Sequence, residues 1–274
     1  MAIFVRAGWV AERIDSPDIL LLDPRRPMKY LQGHLKNAVN LPLFQAFDAQ
    51  GQLLLPDALA RWIGAAGLGE KMTPVLYDSP DGQNAAMLAW ILEYVSRTEV
   101  HLLDVFFERW AAEGREVFYK PVQAAAKTFT ARVNPQIRAT LDDLRANPDL
   151  KLIDFRSHDE YTGARDLDGR PGHIPTAVNI VWRDLVGPSQ EVLAPPEKIE
   201  QLLTTAGINR GDKIVGYCRT GPRAAVGYLA LQQCGYTVRL YDGSYAEWAR
   251  LGLPVEKKSR VQSLESRGQE GVGA

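Results

Sequence analysis

The sequence predicts an α/β protein of two similar domains, each a central parallel sheet flanked by helices. Three observations predict it: an ordered set of residues that recurs about 139 positions later, short apolar runs alternating with helical patterns, and enough apolar material for two cores. The 274 residues are 46% hydrophobic and 24% charged, which excludes a disordered or collagen-like chain. With 32 Lys and Arg against 33 Asp and Glu, the net charge of −1 gives no bulk attraction to nucleic acid or an anionic membrane, so neither is an expected partner.

The repeat supplies the domain boundaries. The first half reads Leu20-Leu21-Leu22-Asp23-Pro24-Arg25, Gly33-His34, Ala38-Val39-Asn40, Val75-Leu76-Tyr77-Asp78, then Leu103-Asp104, Trp110 and Gly114. The second half answers with Leu152-Ile153-Asp154-Phe155-Arg156, Gly172-His173, Ala177-Val178-Asn179, Val215-Gly216-Tyr217-Cys218, then Tyr241-Asp242, Trp248 and Gly252. The shift is 131 for the Asp pair and 138 to 140 for the rest, so a net insertion of eight residues lies between Arg156 and Gly172. Gly163, Gly169 and Pro171 mark it as a loop. The expected units are residues 1–119, a linker 120–133 with Pro121 and an alanine run, residues 134–257, and a polar, mobile tail 258–274.

In the second half, strands are expected at 151–155, 177–180, 213–217 and 237–241. Helices between them follow from apolar spacing: 196–206, with Ile199, Leu202 and Leu203 and a stop at Gly207, and 221–234, with Ala225, Tyr228, Leu229 and Leu231 and a stop at Gly235. The start of the chain shows no basic segment followed by a sustained apolar run, so no secretory signal is expected. The longest apolar-rich stretch, 85–95, is broken by Glu93 and is about half the roughly 20 residues a spanning helix needs. Two cysteines, Cys218 and Cys234, make neither a disulfide framework nor a four-ligand zinc site, which points to the cytoplasm and to no metal.

The strongest chemical signal is Tyr217-Cys218-Arg219-Thr220-Gly221-Pro222-Arg223-Ala224, a cysteine between a strand end and a helix start. Backbone N–H groups and the positive end of the helix dipole converge there, and Arg219 and Arg223 add formal charge. A cysteine that titrates near about 8.5 when free becomes a thiolate more readily in such surroundings. Cys234, beside Gly235 with no cation near it in sequence, reads as a small core residue. His34 and His173 occur in both copies, as do Asp23, Arg25, Asp154 and Arg156, which favours structural over catalytic roles. The cysteine position of the first half is Asp78, which lacks a thiol and reads as a helix cap.

With these motifs in place, the chain resembles the tandem-domain rhodaneses, the thiosulfate and 3-mercaptopyruvate sulfurtransferase family, over residues 1 to about 257. The resemblance implies two rhodanese-like domains, an inactive first and a catalytic second. It also implies a cycle in which Cys218 takes the outer sulfur of a small anionic donor as a persulfide and passes it to cyanide or a thiol, with no cofactor. Cysteine phosphatases related to the fold use Cys-x5-Arg, whereas here Arg223 follows Cys218 by five positions and Ala224 by six. The shorter loop suits one added sulfur atom rather than a phosphate.

Mercaptopyruvate-type loops resemble Cys-Gly-Ser-Gly-Val-Thr and place an arginine at the position of Glu160. Here Arg219 stands beside the cysteine and Glu160 would repel a second carboxylate, so thiosulfate is the expected donor and mercaptopyruvate the alternative. Arg165 and Arg170 in the insertion are candidate additional cations. Thr220, Gly221 and Pro222 complete the expected donor-binding loop, with Asp242 and Ser244 beside it; Pro222 removes one backbone N–H. That loss leaves room for a different class of function, a sulfane-sulfur carrier or sensor with poor turnover. A further expectation is that the first half covers the pocket and lends it His34 or Trp9.

Overall fold

The computed structural model describes residues 2–95, 99–189 and 191–257; the expected tail, 258–274, lies outside the described residues. In the first half the chain runs β1 (Ile3–Val5), α1 (Ala7–Arg13), β2 (Ile19–Asp23), α2 (Pro27–Leu31), β3 (Val39–Asn40), α3 (Pro56–Ala65), β4 (Thr73–Leu76), α4 (Gln83–Tyr94), β5 (His101–Leu103) and α5 (Phe107–Ala112). The second half runs β6 (Arg138–Ala139), α6 (Leu141–Ala146), β7 (Lys151–Asp154), α7 (His158–Thr162), β8 (Val178–Asn179), α8 (Pro196–Thr205), β9 (Ile214–Tyr217), α9 (Pro222–Gln233), β10 (Val238–Tyr241) and α10 (Ser244–Arg250).

Each half forms a five-stranded sheet, in the orders β1-β5-β4-β2-β3 and β6-β10-β9-β7-β8, and every strand pair is parallel. The two orders are the same once each strand is replaced by its repeat. Tyr77, just after the central strand β4, and Tyr217, the last residue of the central strand β9, are both almost fully buried, because helices cover both faces of such a sheet.

Helices α4 and α9 pack against each other across the two halves and are buried nearly all round. That explains why neither shows a strong apolar–polar alternation. Their side chains join one apolar cluster drawn from both halves, including Trp90, Met87, Tyr228 and Leu229. Trp90 Nε1–H donates to Ile137 O at 3.4 Å across the same boundary. Beneath α9, Phe155 is fully buried and fills the space that glycine leaves on two elements: a Cβ at Gly216 would lie 2.7 Å from Phe155 Cε2, and one at Gly227 closer still.

The segment 120–133 has neither helix nor strand, yet it is strapped to the first half. Val122 N–H donates to Tyr30 Oη at 2.8 Å, Lys127 N–H to Gly64 O at 2.9 Å, and Phe129 is buried. No helix among the described residues is long and apolar enough to cross a membrane.

Candidate active site

Cys218 follows directly on β9, the middle strand of its sheet, and the chain turns through Arg219, Thr220 and Gly221 into α9. The turn puts Gly221 at φ 109°, a region that disfavours side chains. It also places Pro222 at the first helical position, where a missing N–H costs the helix nothing. The Gly221 N–H donates to Cys218 Sγ at 3.1 Å. The α10 segment braces the loop from the other side: Cys218 N–H donates to Ser244 Oγ at 3.3 Å and Ser244 Oγ–H to Tyr241 O at 2.8 Å. Tyr245 and Ala246 N–H groups bond the Cys218 and Arg219 carbonyls at 3.0 and 2.9 Å. Ser244 is fully buried at φ 55°, and Cys218 is 1% exposed.

The structure thus brings Cys218, Arg219, Thr220, Gly221, Pro222, Arg223 and Ser244 together. The charges differ from expectation. Arg219 Nε donates to both Asp168 oxygens at 3.0 and 3.1 Å, and Arg223 forks onto Glu160 at 2.7 and 2.9 Å. Arg219, expected to favour a dianionic donor, and Glu160, expected to repel a carboxylate, are therefore each held in an ion pair. Burial pushes Glu160 up, but the Arg223 pair and its bonds with Ser157 outweigh that and hold its carboxyl down at about 2.

Arg170 is committed as well. Its guanidinium donates to the Gly252 and Leu253 carbonyls at 3.1 and 2.7 Å, pinning the insertion to the end of the domain. Arg165 is exposed and makes no side-chain hydrogen bond among the described residues. Asp242 lies beside the loop through its backbone, but its carboxylate is held by Arg138 at 2.8 and 3.0 Å.

Glu160 and Asp168 were the residues missed as partners. The Ser157-x-x-Glu160 spacing signals the capping box that orients Glu160 on α7, whereas nothing local marks Asp168 as the partner of Arg219.

Duplication separates scaffold from chemistry. In both copies an arginine forks onto a buried aspartate and reaches a glycine carbonyl: Arg25 with Asp23 and Gly33, Arg156 with Asp154 and Gly172. His34 and His173 are buried and bonded to backbone oxygens, His34 to Leu35 and Lys120 and His173 to Tyr161. Neither His34 nor Trp9, whose ring meets His101, is brought to Cys218, so that expectation is corrected. What the first half places against the loop is Met87 of α4, close to Gly221, while its segment 50–56 reaches the side where Thr220 lies. That segment and α10 wall a cleft of 510 Å³ with Thr220 at its edge. Asp78 caps α4: its carboxylate accepts the Ser79, Asn84 and Ala85 N–H groups at 2.8, 2.8 and 3.0 Å, and burial raises it to about 6. Among the described residues no group of three or more His, Cys, Asp or Glu is placed to hold a metal.

The chain has relatives among known proteins. The sequence profile of the Rhodanese-like domain matches it twice, at residues 6–113 and 138–251. A thiosulfate sulfurtransferase of Corynebacterium glutamicum is 29% identical over 273 residues, covering 92% of this chain and 89% of the relative. The 3-mercaptopyruvate sulfotransferase SseA of Escherichia coli superposes with a TM-score of 0.81 at 26% identity, covering 89% of this chain and 99% of that one. The anaerobic ergothioneine biosynthesis enzyme of Chlorobium limicola superposes at 0.85 with 22% identity, covering 93% and 70%, a likeness of fold.

Proposed function

Because the chain belongs to the rhodanese-like family over both of its halves, we propose that this sulfurtransferase works as a thiosulfate sulfurtransferase that carries sulfur on Cys218. The observation that carries the reading is the seat of Cys218: a thiol at the carboxyl end of the central strand, at the start of α9, with a backbone N–H on its sulfur. The Cys218 thiolate attacks the outer sulfur of thiosulfate; the S–S bond of the donor breaks and sulfite leaves with its electron pair. The persulfide then gives that sulfur to cyanide, forming thiocyanate, or to a thiol, forming a new persulfide, and the thiolate returns. The Gly221 N–H stabilises the anionic sulfur in each step, and Thr220 and the charge of Arg223 border the incoming donor.

Thiosulfate as donor is supported by the name of the Corynebacterium relative, and mercaptopyruvate, the second reading, by the likeness to SseA. Cysteine usage supports a reducing, cytoplasmic setting. The test is intact mass after incubation with thiosulfate or 3-mercaptopyruvate, followed by cyanide, with Cys218→Ser alongside. The expected result is a gain of one sulfur, about 32 Da by the chemistry of persulfide formation, that needs Cys218 and is stripped by cyanide. No adduct from either donor sinks the reading. Stable loading with negligible turnover replaces it with the carrier function.

A further inference from the structure

We propose that Asp168 decides which sulfur donors this site admits: its ion pair with Arg219 withholds the more exposed of the two loop cations from an incoming donor, handicapping doubly charged donors against singly charged ones. The proposal deepens the preceding reading and rests on Cys218 being the nucleophile that takes the sulfur. Three observations carry it. First, the pair is tight: Arg219 Nε spans both Asp168 oxygens, Nη2 adds a contact at 2.9 Å, and the same Nη2 donates to Leu167 O at 3.3 Å. The Arg219 side chain is 40% exposed, against 19% for Arg223, so Arg219 is the cation that a dissolved anion would meet first.

Second, Asp168 belongs to the stretch that the first half lacks, and that stretch is held in place independently of Arg219. Its two ends meet where Gly163 approaches the Gly172 nitrogen. Arg170 ties it to Gly252 and Leu253, and Tyr245 Oη–H bonds the Arg170 carbonyl. A fixed loop delivers the Asp168 carboxylate to Arg219 without paying the entropy of ordering a free chain. Third, Arg223 is already matched by Glu160, so with Arg219 also matched the donor meets backbone N–H groups and a charge-balanced rim.

Attraction to an exposed cation grows with the charge of the donor, so unmasking Arg219 favours thiosulfate, with two negative charges, over mercaptopyruvate, with one. Solvent screening limits the gain to about threefold to tenfold for thiosulfate.

The experiment compares wild type, Asp168→Asn, Arg219→Gln and the double variant, with both donors at low and high salt, and follows sulfur loading by intact mass. The expected result is a thiosulfate KM lowered by about threefold to tenfold in Asp168→Asn, with a smaller change for mercaptopyruvate. High salt shrinks that gain, and the Arg219→Gln background removes it. A KM unchanged or raised in a variant that still loads sulfur overturns the proposal, as does a gain that survives without Arg219. Failure of wild type itself to load sulfur is a different result, and it overturns the Cys218 reading together with this one. Should Asp168→Asn melt early, Asp168→Ser is measured in its place. Thiosulfate affinity of Cys218→Ser with and without Asp168→Asn gives the same comparison without turnover.

Discussion

Asp78 makes the stability of the protein depend on pH in a direction opposite to most carboxylates. Burial lifts its pKa from the ordinary 3.8 to about 6, against the opposing pull of the Ala85, Ser79 and Asn84 bonds. The folded state therefore binds this proton more tightly than the unfolded chain does. The stabilisation is complete below pH 3.8 and is lost as pH rises through about 6. The whole interval of about two pH units is worth about 3 kcal/mol, and the part between pH 5 and pH 7.5 about 1.4 kcal/mol. In Asp78→Asn a neutral carbonyl remains to accept the Asn84 and Ala85 N–H groups at every pH, so this contribution to the slope disappears. Urea unfolding of wild type and variant at pH 5 and pH 7.5 measures it. The variant should gain about 1.4 kcal/mol relative to wild type on going from pH 5 to 7.5, and should keep its sulfur transfer. Parallel pH dependences would refute the buried, proton-hungry Asp78, and a large loss of transfer with an intact fold would refute a purely structural first-half loop.

Other perturbations test the neighbouring packing. Gly227→Ala pushes a methyl into the buried Phe155 ring, so the usual helix gain is outweighed and thermal melting should show a net loss of about 2 kcal/mol. Ser244→Ala leaves the buried Cys218 N–H without its acceptor; a loss of about 1–2 kcal/mol in denaturant, with kcat falling more than KM rises, is expected. Arg170→Ala should lower the melting temperature through the lost Gly252 and Leu253 bonds yet leave the thiosulfate KM alone. A large rise in that KM would return Arg170 to the donor site.

Much of the fold is legible because it is written twice. Expected strands at 213–217 and 237–241 appear as β9 and β10, and helices expected at 196–206 and 221–234 as α8 and α9. The patterns leave out β6, α6, α7 and α10, which are two to seven residues long and too short for periodicity to register. Cys218 is legible because strand, turn glycine and helix adjoin it in sequence. Its charge partners are not, since Asp168 and Glu160 reach their arginines across 51 and 63 residues. Residue type alone cannot say that a cation in a loop is already spoken for.

The two copies together explain what Asp78 and Cys218 share. Each follows the central strand and stands before a helix of twelve residues, α4 or α9, where N–H groups lack intrahelical acceptors. Such a seat draws negative charge. In the first half the chain fills it with its own side chain: the Ser79, Asn84 and Ala85 backbone N–H groups all donate to the Asp78 carboxylate. In the second half the occupant is a sulfur that holds one N–H, from Gly221 at 3.1 Å. On the proposed reading, a thiolate or persulfide gains there from the same helix start, both before and after transfer. The same construction, on the proposed reading, is inert where a carboxylate is built in and reactive where a thiol stands. On that reading chemistry resides in the occupant of the seat, while the buried Asp–Arg fork at the end of the adjoining strand, β2 or β7, recurs in both copies.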